Sequence, residues 1–155
     1  MPSKIDPNRK GTSSPKNVPA DVLRALNAGE IATVNLGEGL AINTAELLLN
    51  VAPKIGKKGI KPLTDDPAMG LMNRWRTASR ILYEHFGEDA IETFGDHPSD
   101  TVRGWCCMVV GLAEGKGWTL KKRVDRIKRF ADDEHWGVRE SAWLGVRDRI
   151  AADVE

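Results

Sequence analysis

From residue 66 onward the apolar side chains of this chain recur at three- and four-residue intervals, and nowhere do they alternate strictly with polar ones. Leu71, Trp75, Ala78 and Leu82 share one helical face, Val102, Trp105, Cys106, Val109 and Leu112 a second, and Leu120, Val124, Ile127 and Phe130 a third. A chain patterned at the helical period throughout, with no strand-like window, is expected to fold as an all-α protein. The punctuation sets the boundaries. Asp66-Pro67 predicts the start of a long helix that ends near Gly87, and two more helices are expected near 99–113 and 120–131. Upstream, Pro19 opens a helix over DVLRALNAG, and Asn43 with Glu46 forms a capping box ahead of ELLLNVA. The segment PKIGKKGIKP, with lysines among glycines and prolines, reads as a loop. About seven helices are expected in all.

An internal comparison narrows the architecture. Sliding DTVRGWCCMVVG onto HWGVRESAWLGV aligns Val102-Arg103 with Val138-Arg139 at an offset of 36 residues. One connecting helix plus turns fills such an offset, as in the stacked helix pairs of a HEAT-type solenoid, where each pair buries its apolar face against its neighbours. Arg103 and Arg139 then occupy equivalent places, from which an arginine either braces the turn between repeats or contacts a DNA backbone.

The stretch DEHWGVRESAWLGVR raises the functional question. At about 100° per residue, Trp136, Glu140, Trp143 and Arg147 fall within roughly 60° of one another around a helix. Val138, Ala142, Val146 and Ile150 form the neighbouring apolar arc. The stripe therefore lies at the margin of a packed face. It is either one wall of a site or a seam in which the tryptophans fill space and Glu140 pairs with Arg139.

The chain is nearly neutral, with 23 Lys and Arg against 22 Asp and Glu, so a basic surface can form only locally. Lys121, Lys122, Arg126, Lys128 and Arg129 make one such stripe, relieved by Asp125, and Lys57 and Lys58 another. Lys57, Lys58, Lys121, Lys122 and Lys128 are point charges suited to phosphates and unable to specify bases. The first 18 residues, rich in Pro, Ser, Lys and Asn, are expected to be flexible, with the helical domain spanning 19–155. They hold no apolar run of the signal-peptide kind, and a cytoplasmic protein with no membrane association is expected. Cys106 and Cys107, adjacent in an apolar segment, suit reduced core thiols. His85, His97 and His135 are scattered, and no metal site is expected.

The run HPSDTVRGWCCMVVGL, the basic linking helix ending in RFADD, and HWGVRESAWLGVRDRI together resemble the HEAT-like DNA alkylation repair glycosylases, in particular the AlkC-type branch. LNAGEIATVNLGEGLAIN resembles the amino-terminal helical region of that branch, so the likeness spans roughly residues 19–150. Its most specific part is HWGVRESAWLGVR, where the family tends to show HFGVREWAWMAVR; Ser141 here replaces an aromatic and Asp148 stands where a proline is usual. The resemblance implies hydrolysis of the N-glycosidic bond of cationic N-alkylated bases, such as 3-methyladenine, in double-stranded DNA, with no cofactor. On it, Glu140 is the candidate catalytic carboxylate, Trp136, Trp143, Arg139 and Arg147 line the substrate cleft, and Arg103 joins the lysines at the DNA backbone. The family continues with further repeats, including a SEATRP-like motif, so these residues are expected to be its amino-terminal portion, with little or no base release of their own. A concave groove lined by arginines with a buried-edge carboxylate fits that reading. An apolar groove fits a HEAT-like protein-binding module, and a continuous basic face a general nucleic-acid binder.

Overall fold

Side-chain oxygens start several of the helices. Asn35, Asn43, Ser99 and Thr119 accept the backbone N–H groups of Glu38, Glu46, Val102 and Lys122. Each satisfies a donor that the helix cannot, which contributes about 1 kcal/mol. The computed structural model describes residues 6–154, and among them there is no strand. The α-helices are α1 (Ala20–Ala28), α2 (Leu36–Ala41), α3 (Thr44–Val51), α4 (Gly56–Gly59), α5 (Lys61–Thr64), α6 (Leu71–Phe86), α7 (Asp89–Phe94), α8 (Asp100–Leu112), α9 (Leu120–Ala131) and α10 (Trp136–Val154). The protein is all-α, as the periodicity requires. Among the described residues no helix is long and apolar enough to cross a membrane.

Helices α1, α3, α8 and α9 begin and end where punctuation places them. Four segments depart from expectation, the first being α2, a short helix started by the Asn35 cap. PKIGKKGIKP is a 3-10 turn at Pro53–Ile55 followed by α4 and α5, because Ile55, Ile60 and Leu63 are buried and draw successive short turns onto the core. Helix α6 begins at Leu71, five residues after Asp66. The Asp66 carbonyl closes a separate turn on the Met69 N–H, and the extended backbone of Gly70 then starts the helix. Helix α7, which the sequence pattern does not announce, is held by burial of Ala90, Ile91 and Phe94; six residues carry too few periods to be read as a helix. Ahead of Pro19, Arg9 reaches the carboxylate of Glu38 at 2.9 Å and also the Ala32 carbonyl, while the Thr12 carbonyl accepts from Asn35. The packed unit therefore extends upstream of the boundary expected at Pro19.

Helix α8 is the axis of the fold. Every residue from Asp100 to Gly111 is buried, and α6, α7, α9 and α10 all pack on it. Its contact with α10 is backbone on backbone. A Cβ added at Gly111 stands 1.9 Å from the Gly145 carbonyl oxygen, and one added at Gly145 stands 2.3 Å from that of Cys107. Only glycine at both positions permits that approach. Cys106 and Cys107 lie inside this packing as free thiols, and burial pushes Cys106 up to about 12 and Cys107 well above its usual range. They are inert core residues.

Candidate functional site: a groove between α6 and α10

The 36-residue likeness has a structural content beyond the Val-Arg pair. At the turn leading into α8, the His97 ring accepts the Ser99 N–H at 3.1 Å, Ser99 caps the helix, and Arg103 Nη1 donates to the His97 and Pro98 carbonyls at 2.7 and 3.1 Å. At the turn leading into α10, the Asp133 carboxylate accepts the His135 N–H at 2.8 Å. His135 Nδ1 accepts the Gly137 N–H at 3.0 Å, and Arg139 Nη1 donates to the Asp133 and Glu134 carbonyls at 2.7 and 3.0 Å. At the 36-residue offset the arginine brace recurs position for position, and the acceptor of the N–H two residues on is His97 in the first turn and Asp133 in the second. Both arginines therefore brace turns. Arg103 also grips Asp133 through Nε and Nη2, at 2.8 and 3.0 Å, with the arginine side chain only 1% exposed. This ties the first turn to the second and takes Arg103 off the surface assigned to DNA contact.

The two helices differ on the side that follows. Helix α8 meets α10 through Gly104, Cys107 and Gly111. The positions 36 residues later are Glu140, Trp143 and Arg147, so the stripe singled out in the sequence is the image of a close-packing face. Bulky and charged side chains now stand where α8 has small ones. A helix cannot approach α10 there as α10 approaches α8.

Part of that stripe lines a cavity of about 190 Å³ at the amino-terminal end of α8, whose walls include Trp136 and Glu140 from α10 and Leu71, Met72 and Trp75 from α6. Trp136 is 41% exposed and stacked on the His135 ring, with centroids 5.5 Å apart. Glu140 is exposed and has no ion-pair or hydrogen-bond partner among the described residues. Its candidate partners are engaged elsewhere: Arg139 on the two carbonyls, and Arg147 on Asp148 at 3.4 Å. Trp143, 58% exposed, lies outside the cavity on the open side of the same helix.

A polar network fixes the cavity wall. Asp100 accepts from the Thr33 N–H and Thr33 Oγ1, both at 2.8 Å. His135 is fully buried; with Nδ1 accepting from Gly137, Nε2 carries the proton and donates to the Thr33 carbonyl at 2.7 Å. The segment at Thr33 is thereby bonded to the first turn of α8 and to the turn ahead of α10. Thr101, also in the wall, has a buried hydroxyl without a partner among the described residues. Thr33, Trp75, Asp100 and Thr101 are not among the sequence-derived candidates. In the sequence Trp75 reads only as part of the apolar face of α6, and contacts across 67 and 102 residues leave no local trace.

A second cavity, of about 200 Å³, continues the groove toward the carboxyl-terminal end of α8. It shares Leu144 with the first, and Arg76, Arg80, Arg149 and Asp148 line it over a floor of Met108, Gly111 and Leu112. A larger depression, about 580 Å³, lies elsewhere, against α3 and α5, and none of the sequence-derived candidates lines it.

The expected lysines are not gathered here. Lys57 and Lys58 sit exposed on α4. On α9, Lys121 and Lys128 both bond Asp125, at 2.6 and 3.1 Å, and Lys122 reaches Glu88 at 3.3 Å. Arg126 and Arg129 engage Glu92, and Arg129 also Asp96. Trp118 and Lys122 hold the Glu88 carboxyl below its usual range, and Lys121 and Lys128 do the same for Asp125. The basic stripe of α9 is thus largely compensated by acids on itself and on the 88–96 segment. Among the described residues no group of three or more His, Cys, Asp and Glu side chains is arranged to hold a metal ion. Comparison of the chain with protein-family models, with curated proteins and with solved structures finds no match.

Proposed function

We propose that the groove between α6 and α10 binds double-stranded DNA at a cationic N-alkylated base, and that the chain works as part of a HEAT-like alkylpurine DNA glycosylase in the cytoplasm. The observation that carries this reading is the meeting of Trp75, Trp136 and an unpaired Glu140 around one small cavity. Aromatic faces beside a carboxylate favour a planar cation over a neutral base, by cation–π attraction and by charge. Its size suits a single heterocycle.

The chemistry asks little of the protein. An alkylated purine is already positively charged, so when its bond to C1′ breaks, the electron pair returns to the ring and the base leaves neutral. Positive charge grows on the sugar instead, water adds at C1′, and one proton is released. Glu140 stabilises that charge and accepts the proton; a carboxylate in such a role contributes about 10²-fold or more. Trp136 holds the base or sugar alongside it. The buried His135 and the bonded Asp100 position the wall.

Glu140→Gln conserves shape and removes the charge. Base release from methylated DNA, measured in single turnover with protein in excess so that slow release is legible, is expected to fall about 10²-fold with the melting temperature unchanged. Equal release by both proteins, or a fall in release that only tracks a loss of folded protein, contradicts the assignment of Glu140.

A further inference from the structure

We infer that Arg76, Arg80 and Arg149 form a phosphate subsite, and that its ligand is a backbone phosphate of the nucleic-acid strand lying in the groove, two or three nucleotides from the one at the Trp136 cavity. The inference rests on the groove reading for its register and on the arginines alone for its chemistry.

Arg76 and Arg80 are one turn apart on α6, both line the second cavity, and neither has a carboxylate partner among the described residues. Like charges at this spacing repel by a few tenths of a kcal/mol. On α9 such a pair is answered: Lys122 and Arg126, at the same spacing, are matched by Glu88 and Glu92. Across the groove Arg149 is held in place by the Gly111 carbonyl at 2.9 Å and by Glu114 at 3.2 Å. Asp148 stands in the same wall, beside Arg147. Three arginines line a space of about 200 Å³ from both rims. Planar forks of N–H donors match the tetrahedral oxygens of a phosphate, and a lysine cannot reproduce that geometry.

Continuity with the first cavity through Leu144 makes a strand the ligand rather than a free ion. Thr101 lies at one cavity and Met108 at the other on the same buried helix, a separation of about 10 Å at 1.5 Å per residue. Successive nucleotides of one strand advance about 3.4 Å along the duplex, which places the held phosphate two or three steps away.

The test uses the whole chain and unmodified duplex DNA first. The double variant Arg76→Gln/Arg80→Gln is expected to bind about tenfold more weakly and to lower the salt slope of log affinity by about one, with helix content unchanged by circular dichroism. The control Lys121→Gln/Lys128→Gln is expected to leave both unchanged. Duplexes carrying one neutral methylphosphonate linkage at successive positions from a 7-methylguanine give the register. Weakening at a single linkage two or three steps away, abolished in the Arg76/Arg80 variant, is the expected result. Equal binding by the double variant, or an effect equal at every linkage, overturns the subsite. Inorganic phosphate or vesicles of anionic phospholipid that compete with the duplex at matched ionic strength overturn the assignment of the phosphate to a strand. Loss of lesion preference with the arginine effect retained counts against the cationic-base reading and leaves the subsite standing.

Discussion

Helices α8 and α10 start from turns braced in the same way and then put the same face to opposite uses. On α8 that face is Gly104, Cys107 and Gly111, and the backbone of α10 lies on it; on α10 it is Glu140, Trp143 and Arg147, and side chains too long for close helix packing stand there. A repeated scaffold fixes where a helix starts and how its first turn is braced. It does not fix what the exposed stripe is for, which a few substitutions from small to large and charged redirect.

The braced turns break first, and unequally. Arg103→Ala leaves Asp133 uncompensated in a mostly buried place and is expected to cost about 3 to 5 kcal/mol, read from denaturant unfolding. Arg139→Ala removes only the bonds of an exposed guanidinium to two carbonyls and is expected to cost about 1 kcal/mol or less. Equal costs contradict the asymmetry between the two braces. Next comes the face itself. Gly111→Ala forces a methyl group against the Gly145 carbonyl and is expected to cost about 1 to 3 kcal/mol, whereas Arg147→Ala at the matching place changes stability by less than about 0.5 kcal/mol.

The smallest effect is one of pH. Burial, with the Arg103 charge behind it, lowers the His97 pKa from its ordinary value, so between that value and the lowered one the unfolded chain binds a proton that the folded chain refuses. The corresponding stability is present above the ordinary imidazole range and is lost as pH falls through it. His97→Asn, which keeps an acceptor for the Ser99 N–H, is expected to flatten the fall in melting temperature between about pH 7 and 5. An unchanged slope contradicts a lowered His97 pKa at that turn.

Much of this is legible in the sequence, and the parts that are not share a cause. Caps and apolar periods mark α1, α3, α8 and α9 because those signals are local. The Val-Arg offset points to equivalent arginines, which the turns ahead of α8 and α10 realise with matching bonds to two carbonyls. The stripe falls at a margin as its angular spacing requires, but its split, with Trp136 and Glu140 in the cavity and Trp143 outside, depends on where α6 crosses α8. The lysines of α9 look like a binding surface because a charge count shows cations and hides their partners, and Glu88 and Glu92 lie more than 30 residues upstream of the cations they meet. Arg76 and Arg80 carry no signal in the sequence; only the fold shows them lining one cavity with no carboxylate bonded to either among the described residues.

Whether the α6–α10 groove is a site for a planar cation on DNA is tested most directly by the ratio of affinities for two duplexes. One duplex carries a single 7-methylguanine and the other guanine at the same place, both measured with the intact chain and with Trp136→Ala/Glu140→Gln. A groove that holds such a cation gives about tenfold tighter binding of the alkylated duplex, the worth of one aromatic contact and one carboxylate on a cation, and a ratio near one for the double variant. A ratio near one for the intact chain, or a preference that survives both substitutions, contradicts it.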